Sequence, residues 1–154
     1  MHLSEILDPR AVRAVGHMTS KKRLMQELGE IAANVYEMPL NATVDALQER
    51  ESLGPTGVGH GVALPHARMD GLQSVVGSFI RLDKGMEFDA VDRQKVDLIF
   101  CLFAPVDSGV AHLKALALVS RTLRDEAICR KLRSNDDPAT IHAILTEATR
   151  NQAA

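Results

Sequence analysis

The run VDLIFCLFA, Val96 to Ala104, is apolar on both parities apart from Asp97. A strand of this kind buries side chains on both of its faces, so it needs helices above and below the sheet that holds it. The expectation is therefore an α/β layered fold with helices on both faces of the sheet. Upstream, SVVGSFIRL (Ser74 to Leu82) is rich in branched and aromatic residues and predicts a second strand. A brief strand at Val62 to Leu64 is predicted to lead into Pro65 and His66, which places an imidazole at a strand end. Downstream of Pro105 a helix is expected from about Gly109 to Arg124, capped by Asp107 or Ser108, and Asp125 and the Asp137-Pro138 pair start two more. Nearer the start, Leu24, Leu28, Ile31 and Val35 recur at helical spacing between Ser20 and Glu37, with Thr19 or Ser20 as cap. A shorter helix from Asn41 to Glu51 turns Val44 and Leu47 inward, has Arg50 in its last turn, and stops at Gly54 and Pro55.

The chain has 154 residues, 45% hydrophobic and 25% charged, which suits one domain spanning 1–154 with a core of about 3–148. A net charge of −2 and only four Phe, one Tyr and no Trp exclude a phosphate-backbone field and a base-stacking platform, so nucleic acid is not an expected partner. No apolar run is long enough to span a membrane, and Met1 to Arg10 carries Glu5, Asp8 and Pro9 where a leader would be apolar. A cytoplasmic protein without membrane insertion is expected. Cys101 and Cys129 are too far apart in sequence and too apolar in setting to suggest a disulfide framework or a metal knuckle. Arg121, Arg124, Arg130, Lys131 and Arg133 form a basic cluster at helical spacing. It reads either as a solvated helix face or as a docking surface for an acidic protein.

Gly54, Gly57, Gly59 and Gly61 crowd one segment of a chain that has ten glycines in all. Glycine permits positive φ and close backbone approach, so such a loop can turn successive amides toward a phosphate; it can equally be a tight turn between helix and strand. His66 follows this loop and the stiff Pro65, where a neutral imidazole can act as a nucleophile. His112 falls in the first turn of the Gly109–Arg124 helix, on the stripe continued by Leu116, Val119 and Leu123. There it can donate to a phosphoryl oxygen, or serve as a cap or a core histidine. Arg50 can offer a planar fork to phosphate oxygens, although spacing alone favours an exposed helix-end cation. His60 could pair with His112 around a metal, but the spacing matches no ligand pattern, and neither a metal nor another cofactor is expected.

These residues also carry a family likeness. ERESLGPTGVGHGVALPH (Glu49 to His66), FDAVDRQKVDLIFCLFAP (Phe88 to Pro105) and HLKALALVSRTLR (His112 to Arg124) together resemble phosphotransferase-system enzyme IIA domains of the fructose/mannitol class, from about Leu3 to Ala148. The likeness is strongest to the nitrogen-related, regulatory branch, and it implies a mixed β-sheet flanked by helices on both faces. It implies that His66 accepts a phosphoryl group from the phosphohistidine of an HPr-like carrier, itself charged by an enzyme I that uses phosphoenolpyruvate. His112 matches the second active-site histidine and Arg50 the phosphate-facing arginine, with Thr56, Gly57, Gly59 and Gly61 as the phosphate loop. Regulated targets in such a system include potassium transport systems and sensor kinases. His60 and Lys95 depart from the family pattern, at positions where a small or amide residue and a proline are usual. A sugar-specific IIA passing phosphate to a separate IIB chain, or a non-catalytic binding module, are the alternative readings.

Overall fold

The computed structural model describes residues 1–153, with side chains through residue 147. A single helical turn, α1 (Leu3–Ile6), leads straight into β1 (Leu7–Val15), and α2 (Lys21–Tyr36) and α3 (Leu40–Ser52) follow. Three short strands come next, β2 (Gly57–Gly59), β3 (Val62–Ala63) and β4 (His66–Met69), before the long strands β5 (Val76–Met86) and β6 (Val96–Pro105). Helices α4 (Val110–Leu123), α5 (Glu126–Arg133) and α6 (Pro138–Ala153) complete the described chain.

The strands form one six-stranded mixed sheet around β6. On one side β6 pairs antiparallel with β5, placing Phe79 opposite Phe100 and Ile80 opposite Ile99, and β5 pairs parallel with β1. On the other side β3 and β4 lie end to end along β6, both parallel to it, with Val62 opposite Leu98 and His66 opposite Leu102. Leu64 and Pro65 interrupt them, because proline has no N–H to give to a ladder; its carbonyl still accepts from Leu102 N at 3.0 Å. Leu98 through Ala104 are all essentially sealed from solvent, as the two-sided apolar pattern requires. Both thiols, Cys101 and Cys129, are free and buried.

The helix signals hold at most ends. Ser20 Oγ accepts from Arg23 N at 3.1 Å, Asp125 Oδ1 from Ala127 N at 2.9 Å, and Asp137 Oδ2 from Thr140 N at 3.0 Å. The exception is α4, whose N-cap is Gly109 at φ 56 with no side-chain cap, so neither Asp107 nor Ser108 plays the part expected of it. β1, β2 and β4 have no counterpart in the expectations. Asp8, Pro9 and Arg10 look like loop, yet an edge strand tolerates Pro9, which falls where the pairing of β1 with β5 shifts register between Leu7 and Val12. β5 starts at Val76 and runs past Leu82 to Met86, with a further register shift between Arg81 and Met86.

Candidate functional site

His66 opens β4, immediately after the proline break, rather than ending the strand before it. Its ring Nδ1 lies 2.7 Å from the Leu64 carbonyl oxygen. A carbonyl can only accept, so Nδ1 carries the proton and Nε2 keeps its lone pair. The ring is half-buried, and that burial above all pushes its pKa below the usual 6.5; the Leu64 carbonyl and Glu51 act in the opposite sense, and the Arg50 charge adds to the lowering. The ring is thus a neutral imidazole near neutral pH.

His112 packs against it, with ring centroids 5.6 Å apart in an edge-on arrangement. Only 5% exposed, it too has its pKa lowered, first by burial and then by His66 and Arg68. Its Nε2 is buried with no hydrogen-bond partner among the described residues. Arg50, in the last turn of α3, is steadied by donating from Nη1 to the Gly54 carbonyl at 2.9 Å, which leaves its remaining N–H groups for other acceptors. These three residues, with Arg68, line one pocket of about 440 Å3 whose other walls include Glu49, Leu53, Leu113 and Leu116.

Arg68 is absent from the sequence expectations. It stands two residues beyond His66, on the same side of β4, and donates from Nη1 to the Val106 carbonyl at 3.0 Å. The alternation of a strand would have paired it with His66, but a four-residue strand carries too little pattern to announce itself.

Thr56, Gly57, Gly59 and Gly61 do not line this pocket. Thr56 donates from Oγ1 to Glu51 Oε1 at 2.6 Å and from its amide to Oε2 at 2.9 Å, where Lys21 Nζ also binds at 2.9 Å. A carboxylate therefore already takes these donors. Gly57 and Gly59 belong to the β2–β3 hairpin, and a Cβ at Gly57 would stand 2.8 Å from that of Ala90. Gly61 turns at φ +79, with Arg133 and Asp97 closed in where its side chain would be. Gly57, Gly59 and Gly61 thus form the hairpin and permit its close contacts. His60 sits in that turn at φ 57, its amide donating to Asp92 Oδ2 at 2.9 Å, and is no partner to His112.

A neutral imidazole with a free lone pair, a second buried imidazole lacking a partner and two guanidinium groups can receive a multiply charged oxyanion group onto nitrogen. Residues 5–148 match the family described as phosphoenolpyruvate-dependent sugar phosphotransferase system, EIIA 2. The chain belongs to the EIIA 2 family. Within it, the chain is 41% identical over 145 residues to a nitrogen regulatory protein of Bradyrhizobium diazoefficiens, covering 94% of this chain and 95% of that one. Against the nitrogen regulatory protein of Escherichia coli K12 the identity is 38% over 149 residues, with 96% and 91% covered. The crystal structure of nitrogen regulatory protein IIA-Ntr from Neisseria meningitidis superposes with a TM-score of 0.87 at 33% identity, over 94% of this chain and 99% of that chain. IIA mannitol from Escherichia coli, at 18% identity and a TM-score of 0.76 over 90% and 97% of the two chains, shares the fold. The EIIA 2 fold is thus the mixed sheet described above. No helix among the described residues is long and apolar enough to cross a membrane.

Proposed function

We propose that this EIIA 2 protein is a phosphoryl carrier of the nitrogen-regulatory kind, which takes a phosphoryl group from the phosphohistidine of an HPr-like carrier onto Nε2 of His66. One observation carries the reading: the His66 Nδ1–H is committed to the Leu64 carbonyl, so the nucleophilic nitrogen belongs to a neutral ring in a pocket with Arg50, Arg68 and His112. Nε2 attacks phosphorus in line as the donor's P–N bond breaks, and the electron pair of that bond returns to the donor ring. No proton has to move. The forming N–P bond puts positive charge on the His66 ring, and the Leu64 carbonyl, accepting from Nδ1–H, stabilises it.

Charge on the phosphoryl oxygens is met by the Arg50 and Arg68 guanidinium groups and by the uncapped first turn of α4, which contributes His112 and Leu113 to the pocket wall. When its buried Nε2 carries the ring proton, His112 adds one more donor. Phosphorylation then places about 1.5–2 negative charges inside a rim of exposed Leu53 and Leu113, so targets that bind the bare surface, such as potassium transport systems or sensor kinases, are released.

The test is intact-protein mass after incubation with phosphoenolpyruvate, enzyme I and an HPr-like carrier. A single acid-labile phosphoryl adduct, absent from His66→Ala, is expected. An adduct that persists in the variant, or none in the wild type, overturns the proposal, and onward transfer to a separate IIB chain would make the protein a sugar-specific IIA.

A further inference from the structure

We propose a second ligand site, for a small organic anion bearing phosphate or carboxylate groups, in the half-open cavity between the β2–β3 turn, the end of α4 and α5. The cavity measures about 460 Å3 and shares no residue with the His66 pocket. Arg124, Arg130 and Arg133 line it together with His60, over a floor of Leu123 and Cys129, both nearly sealed from solvent. Glu126 is the one carboxylate on its wall. Asp97 answers the Arg133 charge, and Asp125 and Glu126 act on Cys129 in the floor, so Arg124 and Arg130 are the cations left for a ligand.

Two of these arginines differ from the third in a way that suits binding. Arg133 is fixed: Nε donates to Asp97 Oδ2 at 2.9 Å, and Nη2 to Asp97 Oδ1 at 3.0 Å and to the His60 carbonyl at 2.8 Å. Its charge is already answered, and it braces the hairpin turn against α5. The Arg124 and Arg130 side chains have no hydrogen-bond or ion-pair partner among the described residues. Asp125, the nearest acid in sequence to Arg124, is occupied as the N-cap of α5. Solvated cations ordinarily spread over a convex helix face. Here two free forks from two different helices stand over a concavity with an apolar floor, the combination that holds the oxyanions and the body of a small molecule.

The size of the concavity suits such a ligand, whereas an acidic protein strand would need a longer groove. The site lies toward the opposite end of β6 from the phosphoryl pocket, since Asp97 near the start of β6 holds Arg133 and Leu102 near its end pairs with His66. A bound anion would therefore not compete for the nucleophile.

The experiment is a titration of the 15N-labelled full chain with adenosine monophosphate in one series and citrate in the other, at moderate salt. Saturable shifts are expected at the His60 amide, at residues 124–133 and at the arginine Nε–H groups, and the probe that saturates identifies the phosphate or the carboxylate source. The double variant Arg124→Ala, Arg130→Ala should weaken binding at least about tenfold, while His66→Ala leaves it unchanged. Both replaced side chains are exposed and unpartnered, so the variant's remaining spectrum should match the wild type. Absence of saturable shifts with both probes, equal binding by the double variant, or shifts confined to the His66 pocket would overturn the proposal.

Discussion

The Leu64 carbonyl, 2.7 Å from His66 Nδ1, selects the tautomer, and burial keeps the ring neutral. If His66 accepts the phosphoryl group as proposed, only its neutral ring can do so, and the acid limb of the acceptance rate should have its midpoint below the ordinary imidazole value of 6.5. A stopped-flow profile of transfer from the phosphorylated carrier reads this directly, and an acid midpoint above 6.5 would contradict it. Stability follows the same sign. Below the ordinary imidazole value the unfolded chain binds protons that buried His66 and His112 refuse, so unfolding free energy should drop as pH falls through that range. His112→Ala and Arg50→Ala are each expected to slow transfer by about 10²-fold without abolishing it, as for loss of one donor to a charged transition state. Rates with a fixed carrier concentration check this, and complete loss in His112→Ala would show that the two histidines do not divide the roles. His66, His112 and Arg50 were each legible as residues, and the family likeness joined them in one site; spacing alone could not, because their meeting depends on α3, β4 and α4 coming together. Arg68 was missed because the four residues of β4 are too few to show the alternation that pairs it with His66.

Among the elements, the glycine-rich segment is where the sequence left two readings open, an anion cradle and a tight turn. In the fold Arg133 and Asp97 are packed against Gly61 in the β2–β3 turn. Gly61→Ala must push a side chain at φ +79 into the Arg133–Asp97 pair, so it should destabilise by about 1–3 kcal/mol in urea unfolding. Transfer to His66 per folded molecule should be unchanged; a specific loss of transfer would return the loop to the phosphate. Helix ends were read well because caps are local chemistry, as Ser20, Asp125 and Asp137 show. Gly109 defeated the same logic at α4, since a positive φ before the helix displaces Asp107 and Ser108 from the capping position. β1 escaped notice because an edge strand can carry Pro9 and exposed Arg10.

At the scale of the whole molecule, the mixed sheet brings the ends of α3 and β6 and the start of α4 to one side of a pocket rimmed by Leu53, 80% exposed, and Leu113, 64% exposed. Exposed leucines beside an active pocket have a use when a partner covers them. The double variant Leu53→Ala, Leu113→Ala should raise the KM for the phosphorylated carrier about tenfold while leaving kcat within a factor of about two. Steady-state transfer kinetics separate the two quantities, and a matching fall in kcat would assign the leucines to the chemistry instead. VDLIFCLFA determined by itself that a strand is buried on both faces, because a period-2 element with apolar residues on both parities has no face to give to water. The local capping and helix-period signals placed the helices, since each depends on neighbours within a turn. Only the tertiary structure decided that β3 and β4 share one edge of β6, that His66 begins the second of them, and that Arg68 joins Arg50 and His112 around it. Those facts rest on pairings between residues tens of positions apart, and side chains separated so far in sequence leave no periodic trace of where they will meet.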